Sequence, residues 1–135
     1  MLLLWKIGMK TEDLAGLDWR RPEEEQIAAR KRVGSTVGND LSPLLMQNLQ
    51  KSRWANAAEI LAGLETSKIA QFASDLLEWL KDMNWPGAVR IFETLLKLEK
   101  HELLPKLELA IETARRESDE DWLEALLRLQ TKMSD

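Results

Sequence analysis

Apolar residues recur along this chain three and four positions apart, the spacing of one face of an α-helix. Between Thr66 and Lys81, Ile69, Phe72, Ala73, Leu76, Leu77 and Leu80 fall on one stripe, with Gln71, Ser74, Asp75 and Glu78 opposite. Between Pro86 and Leu98 the apolar set is wider. Ala88, Val89, Ile91, Phe92, Leu95, Leu96 and Leu98 cover about half the wheel, which predicts contact with several neighbours and a central place. From Glu102 to Arg116 the predicted buried stripe is Leu103, Leu104, Leu107, Ala110, Ile111 and Ala114. Leu109 falls off it and is expected to pack on an adjoining loop. Helices are also predicted from Pro22 to Arg32, Pro43 to about Gln50, Trp54 to Leu64 and Asp121 to Lys132. GSTVGND, from Gly34 to Asp40, reads as a loop. Tyrosine is absent, and nowhere do β-branched and polar residues alternate for long, so no strand is expected.

The segment LLEWLKDMNWPGAVRIFETL, Leu76 to Leu95, joins two of these stripes. Proline has a fixed φ and no amide hydrogen, which suits a first helical turn. Pro86 is therefore expected to open a helix, with Asn84 as its cap and Asp82 accepting from nearby free amides. Trp85 is expected to wedge between hairpins, and Trp79 to sit at the edge of its apolar stripe. On this reading Asp82, Asn84, Trp85 and Pro86 form a structural junction.

A weak repeat supports that reading. WANAAEIL begins at Trp54, WPGAVRIF at Trp85 and WLEALLRL at Trp122. An alanine follows each tryptophan by three positions (Ala57, Ala88, Ala125) and a large apolar residue by seven (Leu61, Phe92, Leu129). Spacings of 31 and 37 residues each hold one helix pair. The predicted fold is all-α: antiparallel helix hairpins, six or seven helices in all, stacked as a HEAT-like α-α superhelix. A compact non-repeating bundle is the alternative. The expected core centres on Phe72, Leu76, Leu80, Ile91, Phe92, Leu95, Leu107 and Ile111.

LLEWLKDMNWPGA resembles the central motif of a bacterial family, the domain-of-unknown-function 5071 group. KSRWANAAEIL, from Lys51, is similar to a second signature. ESDEDWLEALLRL, from Glu117, is similar to the closing acidic turn and tryptophan helix, and LDWRRPEEEQIAARKRV, from Leu17, to the opening helix of longer members. Together these stretches span most of residues 17–131. The resemblance implies a HEAT-like helical fold in a bacterial cytosolic protein and supplies no catalytic residues. Small bacterial proteins of this general kind include immunity proteins that neutralise toxins.

Composition narrows the function. At 135 residues the chain fits one domain, 1–135, with residues 1–16 left without an assigned structure. The absence of cysteine excludes disulfides and thiolate metal sites and suits the cytoplasm. A net charge of -4 argues against a nucleic-acid partner. The start, MLLLWKIGMK, is too short to span a membrane and lacks the pattern of a signal peptide; Met1 and Met9 both remain as starts. His101 is the only histidine and lies at a helix start, where a capping or exposed role is expected. Gly34 to Gly38 is not a phosphate loop, because no Gly-Lys-Ser/Thr follows. Glu117, Asp119, Glu120 and Asp121 could attract a divalent cation, but an acidic first helical turn is the favoured explanation.

No catalytic residue, metal ligand or cofactor is therefore assigned, and the protein is read as not an enzyme. A protein-interaction domain is the first expectation. An immunity protein is the second, and a metal enzyme built on the acidic cluster around Asp119 the third. The candidate partner-binding residues are Ser74, Asp75, Glu78 and Trp79, on or beside the polar face of the Thr66–Lys81 segment. Neither a nucleic acid nor a membrane is expected as partner.

Overall fold

The computed structural model describes residues 11–134. The choice between Met1 and Met9, and most of the unassigned N-terminal segment, lie outside them. The described residues contain helix and no strand. Eight α-helices occur among the described residues: α1 (Thr11–Ala15), α2 (Glu23–Thr36), α3 (Trp54–Ala62), α4 (Thr66–Ala70), α5 (Ala73–Leu77), α6 (Ala88–Leu95), α7 (Lys100–Arg116) and α8 (Glu120–Ser134). Short 3-10 turns cover Ser42–Leu44, Met46–Asn48, Lys51–Arg53 and Glu78–Lys81. The all-α expectation holds. The chain forms two compact units that divide between Leu64 and Glu65.

In the N-terminal unit, α2 packs against α1 and α3. Gly16 permits the close approach at the end of α1: a Cβ there would stand 2.7 Å from the Ala29 Cβ. Helix α2 buries only Ala29 and Val33, and α3 buries Asn56, Ala57, Ala58, Ile60 and Leu61. Two boundaries differ from expectation. Helix α2 runs on through Gly34, Ser35 and Thr36, where a loop was expected. The hydroxyls of Ser35 and Thr36 donate back to the carbonyls of Lys31 and Arg32, at 2.7 and 2.9 Å, so neither pulls the backbone out of the helix. Conversely, the helix expected from Pro43 to Gln50 is two 3-10 turns separated by extended backbone at Leu45. Here side chains compete with the helix. Asp40 Oδ1 accepts from the Ser42 amide at 3.0 Å, and the Asn48 side-chain amide donates to the Ser42 carbonyl at 2.8 Å.

In the C-terminal unit, α7 packs along α8, and α5 lies against α6 and α7. The single helix expected from Thr66 to Lys81 is broken at Gln71 and Phe72, where φ and ψ of Phe72 are -110° and 14°. The break leaves Phe72 half-buried, a correction to its expected place in the core. It also leaves the Ala70 carbonyl to accept from Lys106 Nζ at 2.6 Å, a charge-assisted bond from α7. The rest of the expected core holds: Leu76, Leu80, Ile91, Phe92, Leu95, Leu107 and Ile111 are buried. Helix α6 is narrower than expected. Val89 is exposed, and Thr94 is buried with its hydroxyl on the Arg90 carbonyl.

The repeat positions behave alike. Ala57, Ala88 and Ala125 are all buried, as are Leu61, Phe92 and Leu129. The indole N–H groups of Trp54 and Trp122 each donate to a backbone carbonyl, of Leu49 and Leu77 respectively, both at 2.9 Å.

Candidate partner-binding groove

Helix α7 carries two stripes. Leu103, Leu107, Ile111 and Ala114 face the core. Lys106, Leu109, Ala110, Thr113 and Glu117, also at helical spacing, line one wall of a groove of about 280 Å³. Ser74, Leu77, Glu78 and Lys81 form the other wall, and Trp122 closes it. Leu109 does not pack on a loop as expected; it is 63% exposed.

Charged groups frame the groove. Lys81 Nζ lies 3.3 Å from a Glu78 carboxylate oxygen and 4.6 Å from the centroid of the Trp122 ring, within cation–π range. The Trp122 indole donates to the Leu77 carbonyl beneath, which ties α8 to the end of α5. Lys106 reaches across to Ala70. Trp122 is thus held to the Ser74–Lys81 wall by Leu77 and Lys81, and Lys106 ties α7 to the Ala70 carbonyl, while Leu109 contributes exposed apolar surface.

Of the four candidate contact residues, the structure brings Ser74 and Glu78 together on this groove. Asp75 is half-buried and does not line it. Trp79, expected at the stripe edge, is fully buried. Its indole N–H donates to the Pro86 carbonyl at 2.9 Å, so it turns inward to hold the next loop.

That loop is the DMNWPG junction. Asp82 Oδ1 accepts from the Asn84 amide at 2.8 Å, and the Trp85 amide donates to the Asp82 carbonyl at 2.9 Å. A second turn follows from Trp85 to Ala88. Gly87, with φ of +85°, occupies the cap position of α6, a left-handed conformation that glycine adopts without strain. Asn84 is therefore not the cap, and Pro86 lies before the helix rather than in its first turn. Trp85 is half-buried within the double turn. Asp82 and Asn84 open onto a second cleft of about 220 Å³, shared with Asp121, Glu124 and Arg128.

The acidic cluster is a helix-to-helix turn. Ser118 takes φ of +56°, the Asp119 amide donates to the Ala114 carbonyl at 2.9 Å, and Asp119 Oδ1 accepts from the Trp122 amide at 3.1 Å. Asp119 thus closes α7 and caps α8. Among the described residues, no group of three or more histidine, aspartate or glutamate side chains is placed to share a metal ion. His101 stands exposed in the first turn of α7.

Sequence reasoning missed a polar network in the N-terminal unit. Asp18 is buried and accepts from Arg20 Nε and Nη2, from the Arg20 amide and from the Ser52 hydroxyl. The Arg20 side chain beside Asp18 holds that carboxyl well below the usual carboxylate range, helped by the Arg20 amide and the Ser52 hydroxyl and opposed by burial. Asn56, buried in α3, donates to the Leu17 carbonyl and to Gln26 Oε1, and accepts from Arg30. The available signal was Asn56 itself, a polar residue inside the apolar run WANAAEIL.

No helix among the described residues is long and apolar enough to cross a membrane. No curated protein and no solved structure matches the chain. A family model described as a domain of unknown function (DUF5071) matches residues 50–134. The match takes in the KSRWANAAEIL, LLEWLKDMNWPGA and ESDEDWLEALLRL stretches; LDWRRPEEEQIAARKRV lies outside it. With well over half of its length matched, the chain belongs to the DUF5071 family.

Proposed function

We propose that this protein is a non-catalytic, cytoplasmic protein-interaction domain of HEAT-like kind, and that a protein partner docks in the groove between α7 and the Ser74–Lys81 segment. The observation that carries this reading is Leu109. A leucine left 63% exposed beside a groove forgoes roughly 1–2 kcal/mol of burial, which a partner's apolar side chain would recover. Glu78, Lys81 and Lys106 around it supply charges for a polar rim. The single exposed histidine and the use of Asp119 as a helix cap support a role without catalysis.

The test is to compare proteins captured from the native cell by the wild-type chain and by Leu109→Asp. The substitution is on an exposed helical position and should leave helicity unchanged. Loss of a specific captured protein is the expected result. Full retention of every specific partner would overturn the groove as the docking site.

A second reading, an immunity protein that neutralises a toxin, is supported by the cleft in which the carboxylates of Asp82, Asp121 and Glu124 outnumber the one cation, Arg128. Acidic surfaces speed association with basic partners, and that advantage fades with salt. On this reading, the association rate with a purified toxin falls steeply as ionic strength rises. A rate that does not respond to salt would count against it.

A further inference from the structure

The N-terminal unit exposes a tryptophan between charged residues on a backbone that is unusually well held. Trp19 is 47% exposed. Its amide donates to the Ser52 carbonyl at 3.0 Å, and its carbonyl accepts from Gln26 Nε2 at 3.2 Å. The same Gln26 amide donates to the Arg21 carbonyl at 2.6 Å, and Gln26 Oε1 is fixed by the buried Asn56. Asp18 Oδ2 accepts from both the Ser52 hydroxyl and Arg20 Nη2. The main chain from residue 18 to residue 21 is thereby fastened to the 51–53 turn, while the side chains of Trp19, Arg20 and Arg21 stand in solvent.

Cations stand next to Trp19 in the chain and in the turn its amide binds, with the acids Glu23, Glu24 and Glu25 one turn further on. Arg20, whose side chain is 72% exposed, uses Nε and Nη2 on Asp18, and Nη1 has no partner among the described residues. Arg21 and Lys51 are exposed and form no ion pair among the described residues. Arg53 follows Ser52 in the same turn, and its Nε is buried without an acceptor. Asp18 is buried and already satisfied. In a chain of net charge -4, Arg21 and Lys51 are thus exposed cations adjoining an exposed tryptophan, in sequence or through the turn it binds.

We propose that Trp19, Arg20, Arg21 and Lys51 form a second docking surface, for a short acidic segment of a partner protein that lays one apolar side chain on the indole. Tryptophan and arginine are the residues that most often dominate protein interfaces, and a fixed backbone lowers the ordering cost of binding. Free guanidinium edges match carboxylates in geometry and charge. Glu23, Glu24 and Glu25, exposed in the next turn, decide between a protein and a nucleic acid. They repel a continuous phosphate backbone running past Arg21, and they limit an acidic peptide to a few carboxylates beside Arg21 and Lys51. This surface lies outside the groove, and of its four residues only Lys51 falls within the family match, so it stands or falls independently of the proposed function.

The test uses the full chain labelled with ¹⁵N, in which the indole resonance of Trp19 is identified by its loss in Trp19→Phe. The probe is a short synthetic peptide of glutamates and aspartates around one leucine, with oligothymidylate as the competing probe. The expected result is a saturable shift of the Trp19 indole with peptide. In Arg21→Glu/Lys51→Glu the affinity should fall about tenfold or more, equal to about 1.4 kcal/mol or more. If that variant does not fold, Arg21→Gln/Lys51→Gln is read in its place, with the same direction expected. The absence of a saturable shift, equal binding by the charge variants, or tighter binding of oligothymidylate at Trp19 would overturn the proposal.

Discussion

The indole of Trp79 fills core volume and also holds the Pro86 carbonyl. Truncation to alanine should cost about 3–5 kcal/mol, because the cavity adds to the lost transfer free energy. Trp79→Phe keeps most of the bulk and abandons the hydrogen bond, and should cost about 1–3 kcal/mol. Trp85→Ala should cost less than Trp79→Ala, since Trp85 is only half-buried. Urea unfolding of the three variants checks the order, and a larger loss at Trp85 would return the wedge to that position. Asp18 gives a pH-dependent expectation. Its carboxyl is held below its ordinary range in the folded chain, while in the unfolded chain it titrates near about 3.9. The unfolded state then binds more protons, so this contribution is complete above about pH 5 and is lost as pH falls below about 4. Asp18→Asn should flatten that part of a stability–pH curve; an unchanged slope would show that Asp18 does not carry it. Neither residue's role was legible beforehand. The helical wheel placed Trp79 only at a stripe edge, and while Arg20 is two residues from Asp18, its other partner, Ser52, lies on a turn 34 residues away that periodicity does not locate.

At the scale of elements, periodicity was most informative for three helices. The predicted spans for α3, α7 and α8 differ from the observed ones by only a residue or two at each end, and their buried stripes come from residues three and four apart. It failed where side chains compete with the backbone. Asp40 and Asn48 divert the segment after Pro43, and the break at Gln71 and Phe72 is supported by Lys106, a residue far along the chain. Phe92→Ala should therefore cost about 3–5 kcal/mol, and Phe72→Ala clearly less, because only Phe92 is buried. Equal losses would mean that the break does not persist in solution. Asp119→Ala should cost about 0.5–2 kcal/mol as a lost cap. Adding divalent cations should not alter the thermal stability of the wild type if capping is the whole role of that aspartate. A metal-dependent shift that disappears in Asp119→Ala would revive the metal-site alternative.

For the whole molecule, the all-helical class and the family were legible in the sequence, and the groove was legible in part. Ser74 and Glu78 were on the expected polar face, but its second wall comes from a stripe of α7 where only Leu109 broke the pattern. A wheel reports that such a residue lies off the core side; it does not report which segment, if any, covers it. The central claim is that a protein partner covers it. The most direct measurement places a photo-crosslinking phenylalanine analogue at Leu109 in the native cell, with a control at Glu108, also exposed but about 100° round the helix. The account predicts a discrete protein adduct at Leu109 that is absent at Glu108. The same adducts at both positions, or none at Leu109 from a folded and expressed chain, would contradict it.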